Sequence, residues 1–167
     1  MNPDRRLALV VEYEGTNYQG FQLQGAKPTI QGEIEKALNQ LTQHPTRIRG
    51  ASRTDSGAHA LGQVVDFKVH STLPTEKFVK GMNFYLPDDI GIQSAREVPE
   101  GFNARKNALT RTYRFKIINQ SIQSPIRRNT HHWIPEPLDA DIMDEVAQEL
   151  IGDQDFRNIA ADYPKEI

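Results

Sequence analysis

The chain has no cysteine among its 167 residues, which excludes disulfides, thiol nucleophiles and thiolate metal ligands. It also lacks any apolar run near the about 20 residues that a membrane-spanning helix requires. The N-terminal sequence MNPDRRLALVVEYEG has neither the long apolar stretch nor the small-residue cleavage site of a secretion signal. A cytoplasmic protein with no membrane partner is the expectation. No internal repeat and no low-complexity segment interrupts the chain. One further absence is local: residues 101–132 contain no acidic side chain, yet hold Arg105, Lys106, Arg111, Arg114, Lys116, Arg127 and Arg128.

What is present is an ordinary globular composition, 37% hydrophobic and 25% charged. The length suits one compact domain, or a core with an appendage. The net charge of -2 hides a segregation: residues 1–135 carry 18 Lys/Arg against 12 Asp/Glu, and residues 136–167 carry 2 against 10. A basic field of this kind suits a polyanion, because phosphate contacts supply most non-specific nucleic-acid affinity. Charge alone leaves a solvated basic face equally open.

Val and Leu enrichment predicts a strand over Arg6–Tyr13, followed by the Gly-rich loop EGTNYQGFQLQGAKP. Ile30, Ile34, Ala37, Leu38 and Leu41 recur at helical spacing behind Thr29, a good N-cap. A short strand is expected over Thr46–Arg53. Another is expected over Gln63–Val69, where Val65, Phe67 and Val69 alternate with Asp66 and Lys68. A second helix over Thr75–Leu86 is apolar at Phe78, Val79, Met82 and Leu86, and a strand follows over Ile90–Val98. Thr110–Asn119 alternates strongly, with Tyr113, Phe115 and Ile117 on one face and Arg114 and Lys116 on the other. Asn119–Pro137 is expected as loop. Asp139–Ile151 is expected as a helix turning Ile142, Val146 and Leu150 inward. The strand-to-strand connections argue against a doubly wound parallel sheet. The expected class is α+β, a largely antiparallel sheet with helices on one face.

Between two of those strands stands RTDSGAHA, residues 53–60. Gly57 permits a turn with positive φ, and Asp55 and Ser56 are ordinary turn residues. Taken alone, a structural turn is the simpler explanation. Against it, Arg53 and Asp55 are two apart and share a face of an extended segment, and His59 follows across the turn. A carboxylate beside an arginine stays ionised and can act as nucleophile or base. Rival chemistries fit less well. The motif supplies no second carboxylate for a glycosidase, and Ser56 and His59 lack a nucleophile-elbow context. Neither Asp55 with His59 nor the adjacent His131 and His132 has metal-ligand spacing.

These residues resemble the TruA-type tRNA pseudouridine synthases. RTDSGAHA is similar to that family's catalytic loop, usually written R-T-D-A-G-V-H-A, with changes at Ser56 and Ala58. YEGTNYQGFQLQ (13–24) resembles its strand-end loop, with Gln19 and Phe21 where His and Trp are common. TIQGEIEKAL (29–38), MNFYLPDDI (82–90) and FNARKNALTRTYRF (102–115) resemble further family segments in the same order. DADIMDEVAQELIGDQDF (139–156) does so with Gln154 in place of a His, and the agreement runs over about residues 6–160.

The resemblance implies an isomerase that cuts the uracil N1–C1′ bond, turns the base and joins C5 to C1′, with no cofactor and no metal. Asp55 would be the nucleophile, at C1′ or at C6. Tyr113 would stack on a base taken out of the RNA helix. Without the resemblance, Tyr113 is a core aromatic on a strand. Arg53 would hold phosphate or fill the gap left by the base. Arg105, Arg111, Arg114, Arg127 and Arg128 would contact the RNA backbone, and His59 is a further candidate. The implied partner is the anticodon stem-loop of tRNA, bound by a homodimer largely through shape and charge. The implied fold is the ferredoxin-like half of the pseudouridine synthase fold, with a catalytic-loop domain over 1–105 and the start of a second, truncated domain over 106–167. Family members are longer, so a non-catalytic RNA-binding remnant stands as the alternative.

Overall fold

The alternation in RLALVVEY sets the centre of the fold. The computed structural model describes residues 4–157. The chain order is β1 (Asp4–Tyr13), α1 (Ile30–Thr42), β2 (Arg49–Gly50), β3 (Ala60–His70), α2 (Thr75–Tyr85) and β4 (Ile90–Val98), then β5 (Ile117–Asn119), β6 (His132–Ile134) and α3 (Ala140–Gln148). The first four strands form one antiparallel sheet in the order β2-β3-β1-β4. Central β1 sets Leu9 opposite Val65 on β3 and opposite Ala95 on β4.

Leu7, Leu9, Val11 and Tyr13 of β1 are buried on one face, as the two-residue period of a strand requires. The first two expected helices cover that face. Thr29 caps α1, its Oγ1 accepting from the Gly32 N–H at 3.2 Å. Ile30, Ile34, Ala37 and Leu38 of α1, with Phe78 and Met82 of α2, join the sheet residues in one core. Each such side chain contributes roughly 1.5–3 kcal/mol through burial, before chain entropy is counted. The α+β class, a largely antiparallel sheet with helices on one face, is the observed architecture.

Several local expectations change. The strand expected over Thr46–Arg53 is ladder only at Arg49–Gly50, with one further bond from Ala51 N to Val64 O. Asp66, assigned to the polar face, is 0% exposed because it receives two guanidinium groups and a backbone N–H. The long strand over Thr110–Asn119 is reduced to Ile117–Asn119, since alternation makes a strand only where a second backbone pairs with it. The loop expected over Asn119–Pro137 contains β6.

The described residues divide between Arg114 and Phe115 into two compact units. The first contains the four-stranded sheet, α1 and α2. In the second, β5 and β6 pair in parallel, Ile118 opposite Trp133. The Asn119 amide donates to Ile134 O and Glu136 O and accepts from Leu138 N, which fixes the return of the chain. Asp139 caps α3 by accepting from the Asp141 and Ile142 amides. Ile142, Val146 and Leu150 do not turn inward: they are 57%, 60% and 55% exposed, because no apolar layer covers them among the described residues.

Candidate active site

Two loops leave the same end of the sheet and brace each other. One, residues 14–28, follows β1; the other, residues 51–59, precedes β3. Phe21 N donates to Thr54 O at 2.9 Å, and Gly57 N donates to Tyr18 O at 3.3 Å. Ser56 Oγ donates to the same Tyr18 carbonyl, at 3.2 Å. The loops pass so closely that a Cβ on Gly15 would stand 1.9 Å from Ala58 O. Gly57, at φ +78°, turns the chain sharply, and Ala58 N donates back to Asp55 O at 3.1 Å.

Side chains complete the brace. The hydroxyls of Tyr13 and Thr54 lie 2.8 Å apart. Burial pushes the Tyr13 phenol above its ordinary pKa, against smaller opposing effects from its bonds to Thr54 and Gln63. Tyr18 is shifted the same way, first by burial and then by donating its hydroxyl to the Asp89 carboxylate. Both phenols therefore stay protonated. His59 Nδ1 accepts from the Gly15 N–H at 3.0 Å, which leaves the neutral ring's proton on Nε2. Glu14 Oε1 lies 3.6 Å from the same nitrogen. His59 thus ties the two loops together.

Asp55 sits at the crest of this loop with its side chain exposed, as does Arg53. Among the described residues no ion pair joins them. The crest presents an open carboxylate on a fixed backbone.

The segment after β4 comes to the flank of the same loop. Buried Gln63 holds Ser52 at both ends, accepting from its N–H at 3.2 Å and donating to its carbonyl at 2.9 Å. Ser52 Oγ in turn lies 2.9 Å from the Tyr113 hydroxyl. Tyr113 is 73% exposed, so it is no core aromatic. Arg111 binds Ala51 O through Nε and Nη2, at 3.3 and 3.1 Å, and Arg105 O through Nη2 at 2.8 Å. Arg105 and Arg114 are exposed. Arg53, Asp55, Arg105, Arg111 and Tyr113 are thus brought to one region of the first unit. Arg127 and Arg128 belong to the second unit, exposed on a turn where Arg128 Nη1 donates to Pro125 O at 2.6 Å. His132 lies beside Phe115, ring centres 5.9 Å apart. Among the described residues no group of three or more His, Cys, Asp or Glu is arranged to hold a metal ion.

The sequence-level expectations missed the braces: Tyr13, Tyr18, Gln63 and Asp66. Gln63 and Asp66 had no signal of their own, because strand alternation does not report a hydrogen-bond partner on another element.

The family model described as tRNA pseudouridine synthase matches residues 9–105, which contain both braced loops. The chain belongs to the tRNA pseudouridine synthase family. It is 44% identical to tRNA pseudouridine synthase A 2 of Clostridium tetani over 91% of this chain and 62% of that protein. It is 41% identical to tRNA pseudouridine synthase A of Caldicellulosiruptor bescii, over 94% of this chain and 64% of that protein. A third such relative, from Hydrogenovibrio crunogenus, is 38% identical over 93% of this chain and 59% of its own length. The chain therefore spans about three fifths of the curated relatives it matches. Asp55, Arg53, His59 and Arg105 lie inside the span matched by the family model; Arg111, Tyr113, Arg114, Arg127 and Arg128 lie beyond it. Among the described residues, no helix is long and apolar enough to cross a membrane.

Proposed function

We propose that this chain carries the aspartate-bearing part of a tRNA uridine-to-pseudouridine isomerase. The observation that carries it is the crest of the 51–59 loop, where Asp55 is exposed on a backbone braced from two sides within the family-matched span. A carboxylate fixed in this way can attack C1′, displacing uracil through N1, or add to C6 of the base. In either case the N1–C1′ bond breaks, the uracil turns, and C5 bonds to C1′. The C5 proton leaves to solvent, N1 takes up a proton, and the carboxylate is released unchanged. No atom or electron is gained overall.

In this reading Tyr113, held at Ser52, stacks on the extruded base. Arg53, Arg105, Arg111, Arg114, Arg127 and Arg128 neutralise RNA phosphates, and His59 fixes the loop. The domain over 1–105 carries the catalytic loop, and 106–167 opens the second domain. The anticodon stem-loop as target and the homodimer rest on the family resemblance, and the cytoplasmic setting on the sequence features given above. The test is tritium release from 5-tritiated uridine in unmodified tRNA. Asp55→Asn keeps the side chain's shape and loses the attacking charge. It is expected to abolish release while leaving tRNA affinity within about twofold, since no phosphate contact is removed. Turnover by the Asn variant would take Asp55 out of the mechanism. The share of the relatives' length spanned favours a second reading, an RNA-binding piece without turnover. It is met if the wild-type chain binds tRNA and releases no tritium.

A further inference from the structure

Asp66 is the one acidic residue buried outright among the described residues of the first unit, and the hydrogen-bond partners of its carboxylate, Arg6, Arg49 and Ala104, lie outside both loops of the candidate site. Its two oxygens are divided between two tasks. Oδ2 accepts from Arg6 Nη1 at 2.5 Å and from Arg49 Nη2 and Nε at 2.6 and 3.2 Å. Oδ1 accepts from the backbone N–H of Ala104 at 2.8 Å. The two guanidinium groups then reach past the carboxylate to the same turn. Arg6 Nε donates to Glu100 O at 2.8 Å, and Arg49 Nη2 donates to Phe102 O at 2.9 Å. Residues 100, 102 and 104 are thereby fastened to β1, β2 and β3 at once.

The turn so held is rigid within itself. The Asn103 carboxamide oxygen accepts from the N–H groups of Arg105 and Lys106, both at 3.1 Å, and Asn107 Oδ1 accepts from Asn103 N at 2.8 Å. Arg105 O receives Arg111, which also grips Ala51. Hydrogen bonds and the short chain segment between them thus link buried Asp66 to the backbone of Arg105 and Lys106, to the Arg111 side chain and to the flank of the Asp55 loop.

We infer that Asp66 is a positioning residue for tRNA: with Arg6 and Arg49 it fixes the 100–107 turn so that Arg105 and Lys106 meet the RNA backbone in one preset geometry. The inference rests on the proposed tRNA-directed function. It makes a prediction whose sign separates positioning from bulk electrostatics. Asp66→Asn removes a negative charge, so electrostatics alone would leave tRNA binding unchanged or tighten it. The asparagine cannot serve both tasks. Whichever way its amide is turned, its NH2 faces either the guanidinium groups or the Ala104 N–H, a donor against a donor. The turn is released, and a phosphate contact with it.

The experiment uses the 167-residue chain and unmodified tRNA, with affinity measured across a salt series. Asp66→Asn is expected to bind roughly three- to tenfold more weakly, with a salt slope shallower by about one unit. Amide hydrogen exchange at 103–107 should quicken while α1 amides stay protected. Arg49→Lys keeps the charge but loses the fork that spans Asp66 and Phe102 O, and is expected to act in the same direction. It carries the test if Asp66→Asn does not fold. A folded variant that binds as tightly as wild type, with an unchanged salt slope, overturns the inference. A wild-type chain that binds no tRNA instead overturns the proposed function on which it rests.

Discussion

Asp55 and Asp66 are eleven positions apart and show two opposite uses of a carboxylate. The Asp55 residue is exposed and its carboxylate is in no ion pair among the described residues, the setting the proposed attack needs; Asp66 is sealed and bound on both oxygens. Asp55 was legible because Arg-Thr-Asp-x-Gly is a local pattern. Asp66 was not, since its meaning depends on Arg6 and Arg49, one on each neighbouring strand. The tyrosines of the brace carry a pH signature. Tyr13 and Tyr18 both titrate above the ordinary 10.0 in the folded chain, chiefly through burial. A raised folded value means that their share of stability is intact below 10.0 and is lost as pH climbs from there through the raised values. Urea unfolding followed across that range should show a falling midpoint. Tyr13→Phe and Tyr18→Phe should each make the fall shallower.

At the scale of elements, the sequence periodicities located β1, α1, α2 and β4 closely, because each is a segment whose apolar face meets the single core. The same periodicities overreached at Thr110–Asn119 and, at α3, placed the helix but not the direction of its apolar face. Tyr113, Phe115 and Ile117 alternate as a strand should, but only Ile117–Asn119 finds a backbone partner, in β6. The two braced loops are the reverse case, carrying no periodicity and yet held by many bonds. Their closeness is tested at Gly15, where a methyl group would overlap Ala58 O. Gly15→Ala is expected to cost about 1–3 kcal/mol, the usual range for overpacking. Hydrogen exchange at the Gly57 and Ala58 amides should quicken at the same time. Unchanged stability and exchange would mean that the loops are not in contact as described.

At the scale of the molecule, burial is divided unevenly between the units. Every buried apolar residue described lies within residues 4–114 except Ile118. The first unit should therefore fold alone: residues 1–114 are expected to give a cooperative thermal transition by circular dichroism, and residues 115–167 alone are expected to give none. A cooperative transition in the shorter piece would contradict this distribution of the core. The sequence by itself determined the α+β class, the two core helices, the basic stretch at 101–132 and the Arg53–Ala60 motif, because periodicity, capping, charge and turn chemistry are written in neighbouring residues. Tertiary structure alone decided that Tyr113 stands exposed beside Ser52, that Arg111 spans Ala51 and Arg105, and that Asp66 binds Arg6, Arg49 and Ala104. Those contacts join residues up to 61 positions apart: the pairing of β1, β2 and β3 sets Arg6 and Arg49 beside Asp66, and the return of the chain after β4 brings in Ala104, Arg111 and Tyr113.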